Sequence, residues 1–152
     1  MVNAVVGNWK WNGIGTFRSG VPYNANASGG DIENTGNVFE RANQIGPPYM
    51  PHPTREQFLN PASFVDPPAN TFGTEGRNNL RTPHVDNFDM SLFREFPFTE
   101  SKRLEFRVDA FNTFNWQALN YPDSTVGDPN FGKVFSTAQT EREIQFALKL
   151  FW

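Results

Sequence analysis

Apolar and polar residues alternate at the carboxyl end of the chain, residues 142–152 (REIQFALKLFW). Because successive side chains of a strand point to opposite faces, this pattern predicts a β-strand with one apolar face and one mixed face. The apolar face carries five side chains: Ile144, Phe146, Leu148, Leu150 and Trp152. Two interpretations fit the pattern. One is a strand that ends a soluble sheet, and the other is the closing strand of an outer-membrane β-barrel, whose apolar face meets lipid.

The same two-residue period predicts three more strands, at residues 7–18, 86–96 and 103–111. Residues 7–18 place Trp9, Trp11 and Phe17 on one face. Residues 103–111 (RLEFRVDAF) place all four charged side chains on one face and Leu104, Phe106, Val108 and Ala110 on the other. The connection at residues 97–102 is short, which predicts an antiparallel hairpin. Strands of about 9–11 residues are long enough to cross a bilayer core at a tilt.

Two segments, Ser19–Val85 and residues 112–141, lack sustained periodicity and are predicted to be loops. The first holds nine of the twelve prolines. Within it, Thr54 and Gln57 match a capping box, which predicts a helical turn at residues 54–59. Residues 133–135 are predicted to add a short extended piece. Connections that alternate long, short and long are typical of outer-membrane barrels, with long loops outside and short turns in the periplasm.

The predicted fold class is therefore all-β. It has about four antiparallel strands of outer-membrane barrel type and long irregular loops, in a single β-rich unit that spans residues 1–152 as a partial barrel. The net charge of −3, with no Lys/Arg cluster, argues against a nucleic-acid partner. The chain has no cysteine, which excludes disulfides and thiolate metal sites. Its first residues show no signal-peptide pattern, so the chain expressed as given is expected to be cytoplasmic.

Paired carboxylates are the first candidate chemistry, because glycoside hydrolysis needs two of them a few ångströms apart. Four lie on the predicted polar faces of neighbouring strands: Glu105, Asp109, Asp89 and Glu95. The alternative is a lumen-facing ladder of charges that these carboxylates form with Arg94, Arg103 and Arg107. We prefer the ladder, and no catalytic residue is assigned.

The loops offer two further kinds of candidate site. An oxygen-rich stretch could hold Ca²⁺ through Asp31, Glu33, Asn34 and Asn37. Position twelve of such a calcium loop would be Ala42, which cannot supply the usual bidentate carboxylate, so neither a metal nor a cofactor is assigned. Loop aromatics could stack on sugars or pack the loop on itself, and the ligand-contact candidates are Tyr23, Tyr49, Trp116 and Tyr121.

Several strings together resemble the carboxyl-terminal part of TonB-dependent outer-membrane receptors, in particular the Oar-like group with a carboxypeptidase-regulatory-like domain. The most specific are residues 72–83 leading into 86–96, and residues 106–115 (FRVDAFNTFN). The resemblance implies a barrel of about 22 strands with an internal plug, which imports large or scarce ligands. It also implies that the carboxyl-terminal pattern of Phe146, Leu148, Leu150 and Trp152 resembles the signal read by the barrel-assembly machinery.

The leading hypothesis is a fragment of such a receptor, located in the outer membrane in the parent family, with transport as the parental function. One alternative is a small glycoside hydrolase that uses the Asp/Glu pairs. The other is a β-structural protein that self-assembles through free strand edges. The expected partners are the rest of a barrel or further copies of this chain, and a carbohydrate or other large ligand. We expect the apolar face of residues 142–152 to be covered, by a second copy rather than by the proline-rich loop.

Overall fold

The computed structural model describes residues 7–152, which fall into two compact units. Unit 1 comprises residues 7–18, Asp86–Gln117 and Gln139–Trp152. Unit 2 comprises Ser19–Val85 and Ala118–Ala138. In this described part of the chain, no helix has both the length and the apolar character needed to span a membrane.

Within residues 7–152 the regular structure is almost entirely β. The strands are β1 (Lys10–Arg18), β2 (Pro22–Tyr23), β3 (Asn43–Gln44), β4 (Phe64–Val65), β5 (Leu80–Arg81), β6 (Val85–Pro97), β7 (Arg103–Phe111) and β8 (Glu143–Phe151). One short 3₁₀ helix, Pro61–Ser63, precedes β4. The four long strands are β1, β6, β7 and β8, and each lies within two or three residues of a strand predicted from periodicity.

Unit 1 is built on a four-stranded sheet with the order β1-β6-β7-β8. Strands β6 and β7 pair antiparallel, with Pro97 opposite Arg103 across the short turn. Strands β7 and β8 also pair antiparallel, from Arg103 opposite Phe151 to Phe111 opposite Glu143. The predicted hairpin and the predicted all-β, antiparallel fold class are both confirmed. The prediction succeeds because a strict two-residue period leaves one register that keeps all apolar side chains together.

Strand β1 lies at one edge of this sheet and carries two glycines where the next strand supplies an aromatic ring. A Cβ at Gly13 would lie 2.8 Å from the ring of Phe88, and one at Gly15 would lie 3.4 Å from it. Trp11 stacks on the same ring, with centroids 6.4 Å apart. The glycines therefore leave room for Phe88 to cover the backbone of β1, which compensates for their low strand propensity.

Unit 2 packs around a small core of its own, although its strands form only two-residue ladders, β2–β5 and β3–β4. The core residues are Tyr23, Ala25, Ala42, Leu59, Phe64, Leu80, Val126 and Phe131. They come from both of the segments that were predicted to be loops. Hydrogen bonds join these segments, for example from the Asn26 N–H to the Ser124 carbonyl (2.7 Å). The non-periodic segments therefore form a compact body without long strands.

Two local predictions in unit 2 are wrong. Residues 54–59 form no helical turn: the Gln57 N–H does donate to the Thr54 hydroxyl (3.2 Å), but the Phe58 N–H donates to the Gly132 carbonyl (2.7 Å). The Phe58 N–H thus forms a long-range hydrogen bond instead of the local bond that a helix would require. Residues 133–135 form no strand, because Val134 makes a single backbone bond to the Arg55 carbonyl (2.8 Å) rather than a ladder.

Candidate functional site

One face of the unit 1 sheet is apolar across three strands. The register aligns Phe96, Leu104 and Leu150 in one row, and Leu92, Val108 and Phe146 in another. The side chains predicted to resemble an assembly signal lie on or beside this face and are solvent-exposed, with Phe146 71% and Leu148 68% accessible. A contiguous exposed patch of this kind marks a surface that contacts a protein partner or a membrane.

The other face carries a ladder of charges and polar groups. In register, Glu95 lies opposite Glu105, which lies opposite Lys149 on β8. Two like charges directly opposite each other destabilise a sheet unless cations lie beside them. Here Arg103 pairs with Glu95 (3.7 Å), and Lys149 adjoins Glu105.

The remaining candidate carboxylates are held by hydrogen bonds on the same face. Arg107 Nε donates to Asp109 (2.8 Å), and the Ser91 hydroxyl donates to the same carboxylate. Asp89 accepts the backbone N–H of Asn112 (2.9 Å). Three of the four candidate carboxylates, Glu95, Asp89 and Asp109, therefore pair with a cation, an amide or a hydroxyl, and Glu105 lies opposite Lys149. This arrangement favours the ladder over hydrolytic chemistry, and a catalytic role for them stays a prediction.

Arg94 differs from its predicted place in that ladder. It lies opposite Phe106, on the apolar face, and only 5% of it is accessible. Its guanidinium lies over the ring of Phe96 (4.5 Å to the centroid) and near the ring of Trp9 (5.9 Å). Strand parity decides this, because Arg94 is an even number of residues from Leu92 and Phe96. The assignment of Arg94 to the lumen-facing ladder is therefore wrong, and aromatic rings cover the cation instead.

A chain of aromatic contacts lies at the end of unit 1 opposite the turn at residues 97–102. Phe88 contacts Phe114 (5.5 Å between centroids), and Phe114 contacts Trp116 (5.0 Å). Trp116 also contacts Phe17 (6.2 Å). Rings grouped at one end of amphipathic strands are typical of the aromatic girdle of outer-membrane barrels. Trp116, a candidate ligand contact, is therefore part of this girdle-like cluster.

Asn112 closes β7 and holds the start of the next connection. It is buried and has a left-handed backbone (φ 46°), which asparagine tolerates better than most residues. Its side-chain oxygen accepts the Trp116 N–H (2.9 Å). Its amide donates to the carbonyls of Trp116 (2.9 Å) and Thr140 (3.1 Å). Asn112 thus joins the two ends of the β7–β8 connection.

We expect Asn112→Ala to destabilise unit 1 by about 2 kcal/mol, because it removes three hydrogen bonds and strains the backbone. Asn115→Ala is the matched control, since Asn115 is also left-handed (φ 54°) but accepts one bond, from the Arg142 N–H. All four tryptophans lie in unit 1, so tryptophan fluorescence during denaturant unfolding measures the difference. Equal losses in the two variants would contradict the role given to the Asn112 side chain.

The three tyrosines named as ligand-contact candidates all lie in unit 2. Tyr23 is buried in its core, with its ring edge against Tyr121 (5.8 Å). Burial raises the pKa of the Tyr23 hydroxyl. The Tyr49 hydroxyl accepts the Arg81 N–H (2.7 Å), and its ring packs on Phe58. Tyr121 keeps about half of its surface exposed and has the most ring area available to a ligand.

The oxygen-rich loop around Asp31 is organised by its own backbone. The Asp31 carboxylate accepts the N–H groups of Thr35 (2.7 Å) and Gly36 (2.8 Å). The Gly36 bond is the main reason why the pKa of Asp31 lies below its ordinary value. Asn34 adopts a left-handed conformation, and Asn37 accepts the Phe39 N–H (3.1 Å). Among residues 7–152, no group of three or more His, Asp or Glu side chains is placed to hold a metal ion.

Sequence patterns missed a cleft of about 460 Å³ within unit 2. Its charged and aromatic lining residues are Glu33, Phe39, Glu40, Arg41, Phe72 and Arg77. They come from two stretches of a segment without periodicity, and about thirty residues separate the stretches. Of the residues named for the calcium loop, Glu33 and Asn37 also line this cleft.

Comparison with known families decides between the two interpretations of the sheet. A family model described as "Outer membrane beta barrel domain" matches residues 1–145. The chain belongs to this family. No curated protein and no solved structure matches it. Outer-membrane β-barrel domains place their apolar strand face toward lipid and their polar face toward the lumen, which assigns the two faces of the unit 1 sheet.

Proposed function

We propose that the chain forms four consecutive strands of the wall of a TonB-dependent receptor of the Oar-like group, and that it serves ligand import through the complete barrel. The observation that carries the proposal is the sheet of β1, β6, β7 and β8. Its strands are adjacent in chain order once the unit 2 segments are set aside, and it has one exposed apolar face and one charged face. The resemblance of residues 72–96 and 106–115 to these receptors adds the family.

Further strands are needed for this sheet to be stable in a bilayer. Within the described part of the chain, β1 and β8 each have one neighbouring strand. Backbone groups along a free edge have no water to bond in hydrocarbon, so membrane-spanning sheets close into barrels. We infer that the outer edges of β1 and β8 pair with other strands of the same wall.

The connections support an orientation for this wall. The short turn at residues 97–102 joins β6 to β7, whereas the unit 2 segments lie in the connections that enter β6 and leave β7 at the opposite end. Outer-membrane barrels have short turns in the periplasm and long loops outside. Unit 2 is therefore proposed to be extracellular and to meet the ligand first.

The lipid face can be tested by cysteine labelling, because the chain has no native cysteine. We expect Gln145→Cys, on the lumen face, to react with a water-soluble maleimide in intact outer membranes. Phe146→Cys, one residue along on the lipid face, is expected to react only after the membrane is dissolved in denaturant. Equal labelling of the two positions in intact membranes would contradict the barrel-wall arrangement.

Transport itself can be tested in a chimera. The last four strands of a TonB-dependent receptor with a known ligand are replaced by this chain, and uptake of that ligand is measured with and without TonB. We expect uptake that requires TonB. A chimera that reaches the outer membrane but gives no TonB-dependent uptake would argue against the receptor assignment. If the chain alone formed water-soluble multimers in which the backbone amides at the β1 and β8 edges are protected from hydrogen exchange, the self-assembly alternative would be favoured.

A further inference from the structure

We propose that the unit 2 cleft binds a short peptide with free termini. Arg41 and Arg77 would bind its carboxylate, Glu33 its amine, and the two phenylalanines an apolar side chain. This inference rests on the proposed function, because it names a ligand class for the extracellular side of an importer. The cleft volume of about 460 Å³ lies within the range of small-ligand pockets, about 300–1,000 Å³.

The cationic side of the cleft is available to a ligand. Within residues 7–152, neither Arg41 nor Arg77 forms an ion pair or donates a side-chain hydrogen bond, although the Arg41 charge opposes the raised pKa of Glu33 and of Glu75. Both arginines line the cleft. An arginine pairs best with a planar anion that accepts two parallel hydrogen bonds, and a peptide carboxylate meets that requirement.

The acidic side favours a cation. Glu40 is buried, and both of its carboxylate oxygens accept the Glu33 N–H (3.0 Å each), so Glu40 fixes the backbone of its neighbour. Glu33 and Glu40 both line the cleft, so two carboxylate-bearing residues lie on this side. Desolvation raises the pKa of Glu33 and the Glu40 charge adds to this, whereas the Arg41 charge opposes it. A ligand ammonium group placed there would offset the repulsion between the two carboxylates.

The aromatic side chains complete the site. Phe39 and Phe72 are 76% and 68% accessible, although both line the same cleft. The segment that carries Phe72 is anchored to the segment that carries Arg41. The Glu75 N–H donates to the Ala42 carbonyl (3.1 Å), and the Thr74 N–H donates to the Asn43 side chain (2.9 Å). The two sides of the cleft are therefore held together before a ligand binds, which lowers the entropic cost of binding.

Binding of the tripeptide Ala-Phe-Ala to the full chain in detergent micelles, measured by calorimetry, tests the proposal. We expect the free tripeptide to bind saturably. Its N-acetylated and C-amidated forms are each expected to bind with an affinity lower by about tenfold or more, because each loses one charged contact. Equal affinity for the free and blocked peptides, or no saturable binding of the free peptide, would overturn the proposal.

Variants locate the site. Arg41→Gln and Arg77→Gln are each expected to lower the affinity for the free tripeptide about tenfold. The affinity for the amidated form is expected to stay unchanged. Arg142→Gln, an exposed arginine of unit 1, is the charge control. Phe39→Ala is expected to lower the affinity for both peptide forms. Phe135 is an exposed phenylalanine of unit 2 outside the cleft, so Phe135→Ala is expected to leave both affinities unchanged. If Arg142→Gln lowered the affinity for the free tripeptide as much as Arg41→Gln does, the peptide would bind elsewhere and the proposed site would be refuted.

The two hypotheses fail separately. A chimera that imports its ligand while the tripeptide shows no charge-dependent binding would refute the peptide site and leave the receptor assignment intact. The reverse result, with peptide binding but without TonB-dependent uptake, would refute the receptor assignment alone. If a variant does not fold, the comparison of free and blocked peptides on the native chain still decides the proposal.

Discussion

Gly73→Ala is expected to destabilise unit 2 by about 3 kcal/mol or more, at the upper end of the cost of overpacking. A Cβ at Gly73 would lie 1.9 Å from the Arg41 carbonyl oxygen and 2.6 Å from the Ala42 carbonyl oxygen. Both atoms belong to the backbone, so no side-chain rotation can relieve the contact. The two segments would have to separate, and their mutual hydrogen bonds would break.

Gly76→Ala is the matched control. A Cβ at Gly76 would meet the Asn79 side chain at 3.5 Å, an ordinary van der Waals distance, and Gly76 does not have a positive φ. All three tyrosines lie in unit 2, so near-ultraviolet circular dichroism of tyrosine during denaturant unfolding measures this unit. If Gly73→Ala lost no more stability than Gly76→Ala, the backbone around Gly73 would not be in close contact with the backbone of Arg41 and Ala42.

Unit 2 is expected to lose about 3 kcal/mol of stability as the pH rises from about 4.5 to about 7. Glu75 is 2% accessible, and burial raises its pKa from 4.5 to about 7, although the Ala25 N–H and the Arg41 charge oppose the shift. Because the folded pKa lies above the unfolded one, the stability is fully present below pH 4.5. It is lost as the pH rises through the folded pKa, at about 1.4 kcal/mol for each pKa unit.

Glu75→Gln should remove most of this pH dependence, since the neutral amide can still accept the Ala25 N–H bond (2.9 Å in the native chain). Glu56→Gln, at an exposed position, serves as the control. The measurement is the free energy of unfolding from tyrosine circular dichroism between pH 4.5 and pH 8. An unchanged slope in Glu75→Gln would show that another group is responsible.

Local periodicity determined the sheet of unit 1. Alternation along Arg103–Phe111 specifies both a strand and its two faces, because burying one face allows a single register with each neighbour. The short connection at residues 97–102 leaves little alternative to a hairpin. The predicted and observed ranges accordingly agree within about three residues for β1, β6, β7 and β8. The carboxyl-terminal pattern left a soluble strand and a barrel strand both open, and the order of long and short connections together with the resemblance to receptors favoured the barrel.

Residue chemistry was predicted less well than strand position. Arg94 was assigned to the charge ladder because it is charged, but its parity places it among the rings of Trp9 and Phe96. The capping-box pattern of Thr54 and Gln57 formed its local hydrogen bond without a helix. Strand parity decided the position of Arg94, whereas the distant Gly132 carbonyl, which binds the Phe58 N–H, determined the outcome at residues 54–59.

Tertiary structure alone determined unit 2 and its cleft. Neither Ser19–Val85 nor Ala118–Ala138 has a period that marks a buried face, so no sequence pattern distinguishes Leu59 or Leu80 from exposed residues. Their burial follows from bonds between the segments, such as Phe58 N–H to the Gly132 carbonyl. The juxtaposition of Arg41 with Phe72 likewise depends on the close approach that Gly73 permits. Such contacts are long-range and specific to one packing arrangement, whereas a strand period repeats locally and can be identified without knowing what the strand packs against.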